Sequence, residues 1–319
     1  MIGKIKSSKF SSLFFLISFS LVVNTLIFSN YFLIGIFIIS FFISFVLTKY
    51  GLKFIKKLNL LQNIRDEGPY IHLNKKNTPT MGGIFIITPL LIGLLMVNNS
   101  YNDVGLPLIF LSTFGFFCIG FLDDYLSITK KRNVGLKSNE KFILQSFISI
   151  LFLLLAAQSN YISPLIAISK NWIIDTNIYI LPISFITLVG LSNAVNLTDG
   201  LDGLASGCCS IVFYGLGTEI FLKSKEELII YGLICFAMSG LCLGFLKFNQ
   251  YPAKIFMGDT GSLTIGAVLG SISILTNSFF TLFIISGIFI TEALSVMIQV
   301  SFFKITKKVF KKGKRVFLM

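Results

Sequence analysis

Five aspartates stand where ionic chemistry would need them. Asp123 and Asp124 are adjacent, Asp199 and Asp202 are three apart, and Asp259 follows a glycine. The chain holds only 14 acids, so the placing of these five carries weight. Adjacent carboxylates repel, and a cation between them relieves the repulsion. Hard oxygen ligands of this kind suit Mg²⁺, which takes one or two carboxylates and completes its shell with water and phosphate. The expected chemistry is therefore the handling of phosphate through a divalent cation.

The stretch Asn193 to Ala205 is the most specific. Asn196, Asp199 and Asp202 recur every third residue and would share one face of a helical turn. An EF-hand is excluded, because its acids fall at alternate positions and it closes on a distant Glu. Lys254 to Ser262 is expected to open a helix, where backbone N–H groups seat an anion. Asp259 would repel phosphate there unless a metal lay between them, while Ser262 reads more simply as a helix cap. One Asp-Thr-Gly between membrane helices does not make an aspartic protease. In Lys75 to Gly83, Lys75 could contact phosphate, Pro79 and the glycine pair fit close packing, and His72 reads as a loop residue. Of Lys130, Lys131, Arg132, Lys137 and Lys141, most are expected to serve orientation, with one or two left to hold phosphate. Glu292 and Gln299, seven apart, share a helical face.

The elements that must position these residues are membrane helices. Hydrophobic residues make up 54% of the 319 and charged residues 13%, and the mean hydropathy is +0.84. Lipid must solvate that much apolar surface, and backbone groups in lipid must pair internally. Long runs without alternation select helices over a barrel. The expected fold is all-α and polytopic, a single membrane domain of about nine or ten helices. The runs lie near 11–29, 31–51, 82–97, 106–122, 142–158, 178–195, 203–222, 228–246, 261–276 and 279–303. The first is either an extra span or a helix lying in the interface. All but Lys170, Lys223 and Lys225 of the 27 basic residues fall on one side of this topology, which places the aspartate loops in the cytoplasm. The net charge of +13 is thus an orientation signal rather than a nucleic-acid footprint. The five cysteines sit in apolar runs and read as core residues.

Thr78 to Gly83, Asp123-Asp124-Tyr125, Asn193 to Ala205 and Phe256 to Ser262 together resemble the polyprenyl-phosphate N-acetylhexosamine-1-phosphate transferases. Gly68-Pro69 with His72, and Gly313 to Met319, point to the muramoyl-pentapeptide branch. The likeness runs over about residues 35–319. It implies transfer of phospho-N-acetylmuramoyl-pentapeptide from its UDP carrier to undecaprenyl phosphate, giving lipid I and UMP with Mg²⁺. This is the first membrane step of peptidoglycan synthesis, carried out in the bacterial cytoplasmic membrane. By motif match, Asp259 binds the metal. Asp123 and Asp124 lie near the lipid phosphate, one of them as base. Asn196, Asp199 and Asp202 lie by the nucleotide, and Phe256 stacks on uracil. Lys75, Thr80, Asn249 and Gln299 match further site positions, and a homodimer is implied. Asn77 stands where the family has Gly and Ile71 where Ser is common. Family members continue past Phe-Leu-Met into a Pro-Leu-His-His-His segment and a last helix, whereas this chain ends at Met319. The rival readings are a sister transferase using UDP-N-acetylglucosamine and a cation-coupled secondary transporter. The transporter predicts repeated halves and midplane sites, and neither is evident here.

Overall fold

The computed structural model describes residues 2–28, 32–57, 78–98, 103–130, 135–169 and 172–310. Apolar sequence with no water to bond its backbone folds into helices throughout. They are α1 (Ile2–Phe28), α2 (Phe32–Lys57), α3 (Ile84–Asn98), α4 (Gly105–Thr129), α5 (Ser138–Gln158), α6 (Ile180–Thr198), α7 (Leu204–Leu222), α8 (Ile229–Asn249), α9 (Asp259–Leu275), α10 (Phe279–Ile285) and α11 (Gly287–Phe310). Seven are long and apolar enough to cross a membrane, and three shorter apolar stretches accompany them. The chain is a multi-pass, all-α membrane protein in the described residues, apart from one small hairpin.

α9 is the central pillar. Every residue from Thr260 to Leu275 is buried, chiefly against α4 and α6. Small residues allow this closeness. A Cβ on Gly120 of α4 would lie 2.3 Å from the Asp259 carbonyl oxygen. The α2–α8 contact works the same way. Side chains at Gly240 and Gly244 would meet the carbonyl oxygens of Phe37 and Phe41 at 2.4 and 2.3 Å. Lipid offers no hydrophobic drive between helices, so such tight backbone packing supplies the association.

α1 runs along the bundle. Its Phe10 ring sits under Lys247 at 4.7 Å, and Asn24 donates to Tyr214 (2.7 Å) and Thr218 (3.0 Å) of α7. Between them, Ile17 and Leu21 pack with Phe37, Phe221 and Phe236.

Two features depart from the sequence reading. An antiparallel hairpin, β1 (Leu165–Ser169) with β2 (Trp172–Asp175), joins α5 to α6. The run 279–303 is divided at Ser286 into α10 and α11. With seven residues, about 10 Å of rise, α10 cannot span a bilayer. All five cysteines are free. At the end of the bundle away from the five aspartates, Asp103 accepts the Gly105 N–H (2.8 Å) and the Tyr231 and Tyr161 hydroxyls, which pins the start of α4.

Candidate active site

Four helix ends meet at one face of the bundle: the end of α4, the start of α5, the end of α6 and the start of α9. Asp259 opens α9 and stands at their junction. Its Oδ1 accepts from Asn196 Nδ2 at 2.7 Å, and its Oδ2 is paired with the Lys141 ammonium. The same Asn196 nitrogen donates to Ser262 Oγ at 2.9 Å. Ser262 donates in turn to the Gly258 carbonyl, as a residue of the first turn does.

The position of Lys141 has a local cause. Glu140 accepts the Lys137 N–H at 3.0 Å and starts α5, so Lys141 falls in the first turn. A cation there opposes the helix dipole, so its ion pair with Asp259 is what favours this placement. Of Lys130, Lys137 and Lys141, the described basic residues after the aspartate pair, Lys141 is the one paired with an aspartate of the cluster. Lys131 and Arg132 lie outside the described residues.

The two adjacent aspartates have different jobs. Asp124 is buried, and its oxygens accept the N–H of Asp259 (3.1 Å), the N–H of Thr260 (2.9 Å) and the Thr260 hydroxyl (2.6 Å). It caps α9 from a neighbouring helix. Asp123 is more open. Its Oδ1 accepts the Leu136 N–H at 2.9 Å, and its carboxyl lies within hydrogen-bonding reach of Asp259.

Gly258, at φ +75°, makes the turn into α9. A Cβ there would lie 2.5 Å from Asp124 Oδ2 and 2.9 Å from Thr80 Oγ1, so Thr80 and Asp124 flank it. The Thr80 segment is held by three backbone bonds: Phe256 N–H to Pro79 O, Gly82 N–H to Phe256 O and Gly83 N–H to Met257 O. Phe256 is thereby fixed at the mouth, half-buried.

Asp199 follows α6 and lies near the Gly258 backbone. Burial, and after it the charges of Asp259 and Asp124, hold its carboxyl well above the usual carboxylate range. Asp202 accepts the Ala253 N–H at 3.0 Å. Asn249, 1% exposed, accepts from Gly203 N–H (3.2 Å) and Ser206 (2.8 Å) and donates to the Ile255 carbonyl (3.0 Å). It ties the loop carrying Asp199 and Asp202 to the loop carrying Phe256 and Asp259.

Asp123, Asp124, Asn196, Asp199, Asp259 and Thr80 thus come together, with Asp202, Asn249 and Phe256 in the adjoining loops. Gln299 lies on α11 and donates to Ser295 of its own helix at 3.0 Å. Lys75 falls outside the described residues. Lys141 and Thr260 gain site roles that the sequence did not single out, and Gln145, one turn beyond Lys141, had no signal beyond being polar in an apolar run.

The donor set fits a hard divalent cation. Asp123 and Asp259 bring two carboxylates close enough to need a proton or cation between them. Among the described residues no three acid, His or Cys side chains close a metal shell by themselves. The remaining ligands would be water and substrate phosphate, the usual habit of Mg²⁺.

Along the membrane-spanning part of the bundle, α6, α10 and α11 enclose an apolar groove of about 320 Å³, lined by Ile186, Leu191, Phe279, Phe283, Ile290 and Met297.

Residues 106–277 match the family model for glycosyl transferase family 4, and residues 75–87 match signature 1 of the phospho-N-acetylmuramoyl-pentapeptide-transferases. A phospho-N-acetylmuramoyl-pentapeptide-transferase of Prochlorococcus marinus subsp. pastoris is 73% identical over 319 residues, covering 100% of this chain and 89% of the relative. One from Thermodesulfovibrio yellowstonii is 43% identical over 296 residues, covering 88% of this chain and 80% of the relative. A helical fold with an acid cluster at one end and a likeness spanning the whole chain lead to one assignment: this chain belongs to glycosyl transferase family 4, among the phospho-N-acetylmuramoyl-pentapeptide-transferases.

Proposed function

We propose that this chain transfers phospho-N-acetylmuramoyl-pentapeptide from UDP-N-acetylmuramoyl-pentapeptide to undecaprenyl phosphate, giving lipid I and UMP. The observation that carries the reading is Asp259, held between Lys141 and Asn196 with Asp123 beside it, at a helix-end junction. A transporter reading asks for acids at the midplane, whereas these stand at helix ends.

In the reaction an oxygen of the lipid phosphate attacks the β-phosphorus of the nucleotide. The bond from that phosphorus to the oxygen bridging the two phosphates breaks, and UMP leaves with the electron pair. Such transfers need positioning and charge neutralisation more than covalent help from the protein. Asp123, more open than Asp124, faces the lipid phosphate and takes its proton where one is present. Asp124 holds the start of α9 and so fixes Asp259. Lys141, on leaving Asp259, meets the phosphate oxygens. Asp199, Asp202 and Thr80 line the nucleotide side, and Phe256 offers a ring face to uracil. Lys75 and Gln299 are further substrate contacts on the family resemblance alone, as is a homodimer. Asn249 supports the nucleotide side by joining its two loops. Asp259 and Asp123 would hold Mg²⁺, which would supply neutralisation of the phosphate oxygens. The apolar groove suits part of the prenyl chain. The excess of basic residues in the loops that carry the aspartates supports a cytoplasmic setting for this face.

The test is UMP release by the purified chain in detergent with both substrates and Mg²⁺. Release that requires undecaprenyl phosphate and falls at least ~100-fold in Asp259→Ala is the expected result. Release with UDP-N-acetylglucosamine instead would transfer the assignment to the sister activity.

A further inference from the structure

We propose that Gln145 of α5 and Asn193 of α6 are positioning residues for the transfer, setting the register that brings Lys141 and Asn196 onto Asp259. The inference rests on the reading of Asp259 as the reaction centre. Asn193 Nδ2 donates to Gln145 Oε1 at 2.8 Å, and Gln145 Nε2 faces Asn193 Oδ1 at a longer 3.5 Å. Asn193 also donates to the Val189 carbonyl at 2.8 Å, which fixes the plane of its amide. Gln145 is 1% exposed.

The two helices carry two polar rungs. Lys141 is four residues before Gln145 on α5, and Asn196 three after Asn193 on α6. Residues at those spacings share a helix face. The upper rung, Lys141 and Asn196, closes on the two oxygens of Asp259, and the lower rung is the amide pair. Apolar packing is non-directional and tolerates axial sliding, whereas a buried amide pair has one good register, as polar residues in coiled-coil seams do. A slip of one residue moves a helix by about 1.5 Å. That distance is enough to separate Lys141 from Asp259.

Gln145 touches neither Asp259 nor the space before it, so its effect is on turnover rather than on binding. Gln145→Leu keeps the volume and removes the amide. Exchanging the pair, Gln145→Asn with Asn193→Gln, restores an amide on each helix with the same summed reach. With the whole chain in detergent, Gln145→Leu is expected to lower kcat about 10- to 100-fold, with KM for the nucleotide substrate unchanged within about twofold. The exchange variant recovers most of the loss. A second readout needs no turnover: acylation of Lys141 by an amine-reactive ester, followed by mass spectrometry below the melting temperature. Lys141 should react about tenfold faster in Gln145→Leu than in the parent chain, the sign of a released ion pair, and return to slow reaction in the exchange variant.

Unchanged kcat together with unchanged Lys141 reactivity in Gln145→Leu overturns the proposal. So does a fall in melting temperature with Lys141 still protected, since that is a purely structural role. Failure of the exchange variant to recover either readout does the same. Asp259→Asn, run alongside, separates the parent reading: full turnover in that variant removes Asp259 as the centre, while Lys141 reactivity still reports on the register.

Discussion

Thr260 gives Asp124 both its backbone N–H and its hydroxyl, at 2.9 and 2.6 Å, so the end of one helix caps the start of another 136 positions away. A carboxylate with three donors is spoken for, which separates Asp124 from its neighbour. Asp124→Ala is expected to destabilise the fold by about 1–3 kcal/mol and to abolish turnover with it. Asp123→Asn should leave the melting temperature within a degree or two and lower kcat by about 10²-fold or more. Thermal melts in detergent beside UMP release distinguish the two; equal melting losses would dissolve the division of labour.

Asp199 gives a pH signature. Its folded carboxyl titrates above the usual range, so its protonated form is the one the fold prefers. That contribution to stability is present below the unfolded value of 3.8 and is lost as pH rises through the higher folded value. Asp199→Asn should therefore melt higher than the parent chain at pH 8. The gap should close as pH falls toward 4, while turnover is reduced at every pH. A gap that is constant or widens on acidification would refute this.

The turn at Gly258 has no room for a side chain, and its positive φ disfavours one. Gly258→Ala should lower both the melting temperature and kcat, the latter by at least ~10-fold, because Asp124 and Thr80 must move. Gly207→Ala is the matched control, since its Cβ would find nothing nearer than Leu246 Cδ2 at 3.7 Å. Equal behaviour of the two would remove the steric argument.

Asn249 matches a family substrate position, yet its amide is committed to Gly203, Ser206 and Ile255. Asn249→Ala is expected to cost about 1–3 kcal/mol of stability by orphaning buried polar groups. Turnover should fall further than that loss explains, because both loops of the nucleotide side hang from this residue. A melting temperature equal to the parent's would return Asn249 to direct substrate contact.

Much of this was legible in the residues. In lipid the helix is the default, so apolar runs place helices well, and the scarce acids mark the end of the bundle where the candidate site lies. What stayed hidden depends on contacts between distant segments. Nothing near Lys141 distinguishes it from Lys130 or Lys137; the start of α5 at Ser138 and the position of Asp259 do so. Asp123 and Asp124 look equivalent as neighbours, but 100° of helical rotation turns one toward α9 and leaves the other more open. The division of the last run falls at Ser286-Gly287, small residues that membrane helices also carry in their interiors, so the pair did not mark a boundary. The hairpin at Leu165–Asp175 has strands of five and four residues without clear alternation, too short to stand out beside helical runs.

The ammonium of Lys141 already holds one oxygen of Asp259. On the proposed function, a divalent cation bound to that carboxylate would have to share it with a tethered competitor. The lysine would then balance the carboxylate until a diphosphate offered it a better anion, and a metal would load together with the nucleotide rather than before it.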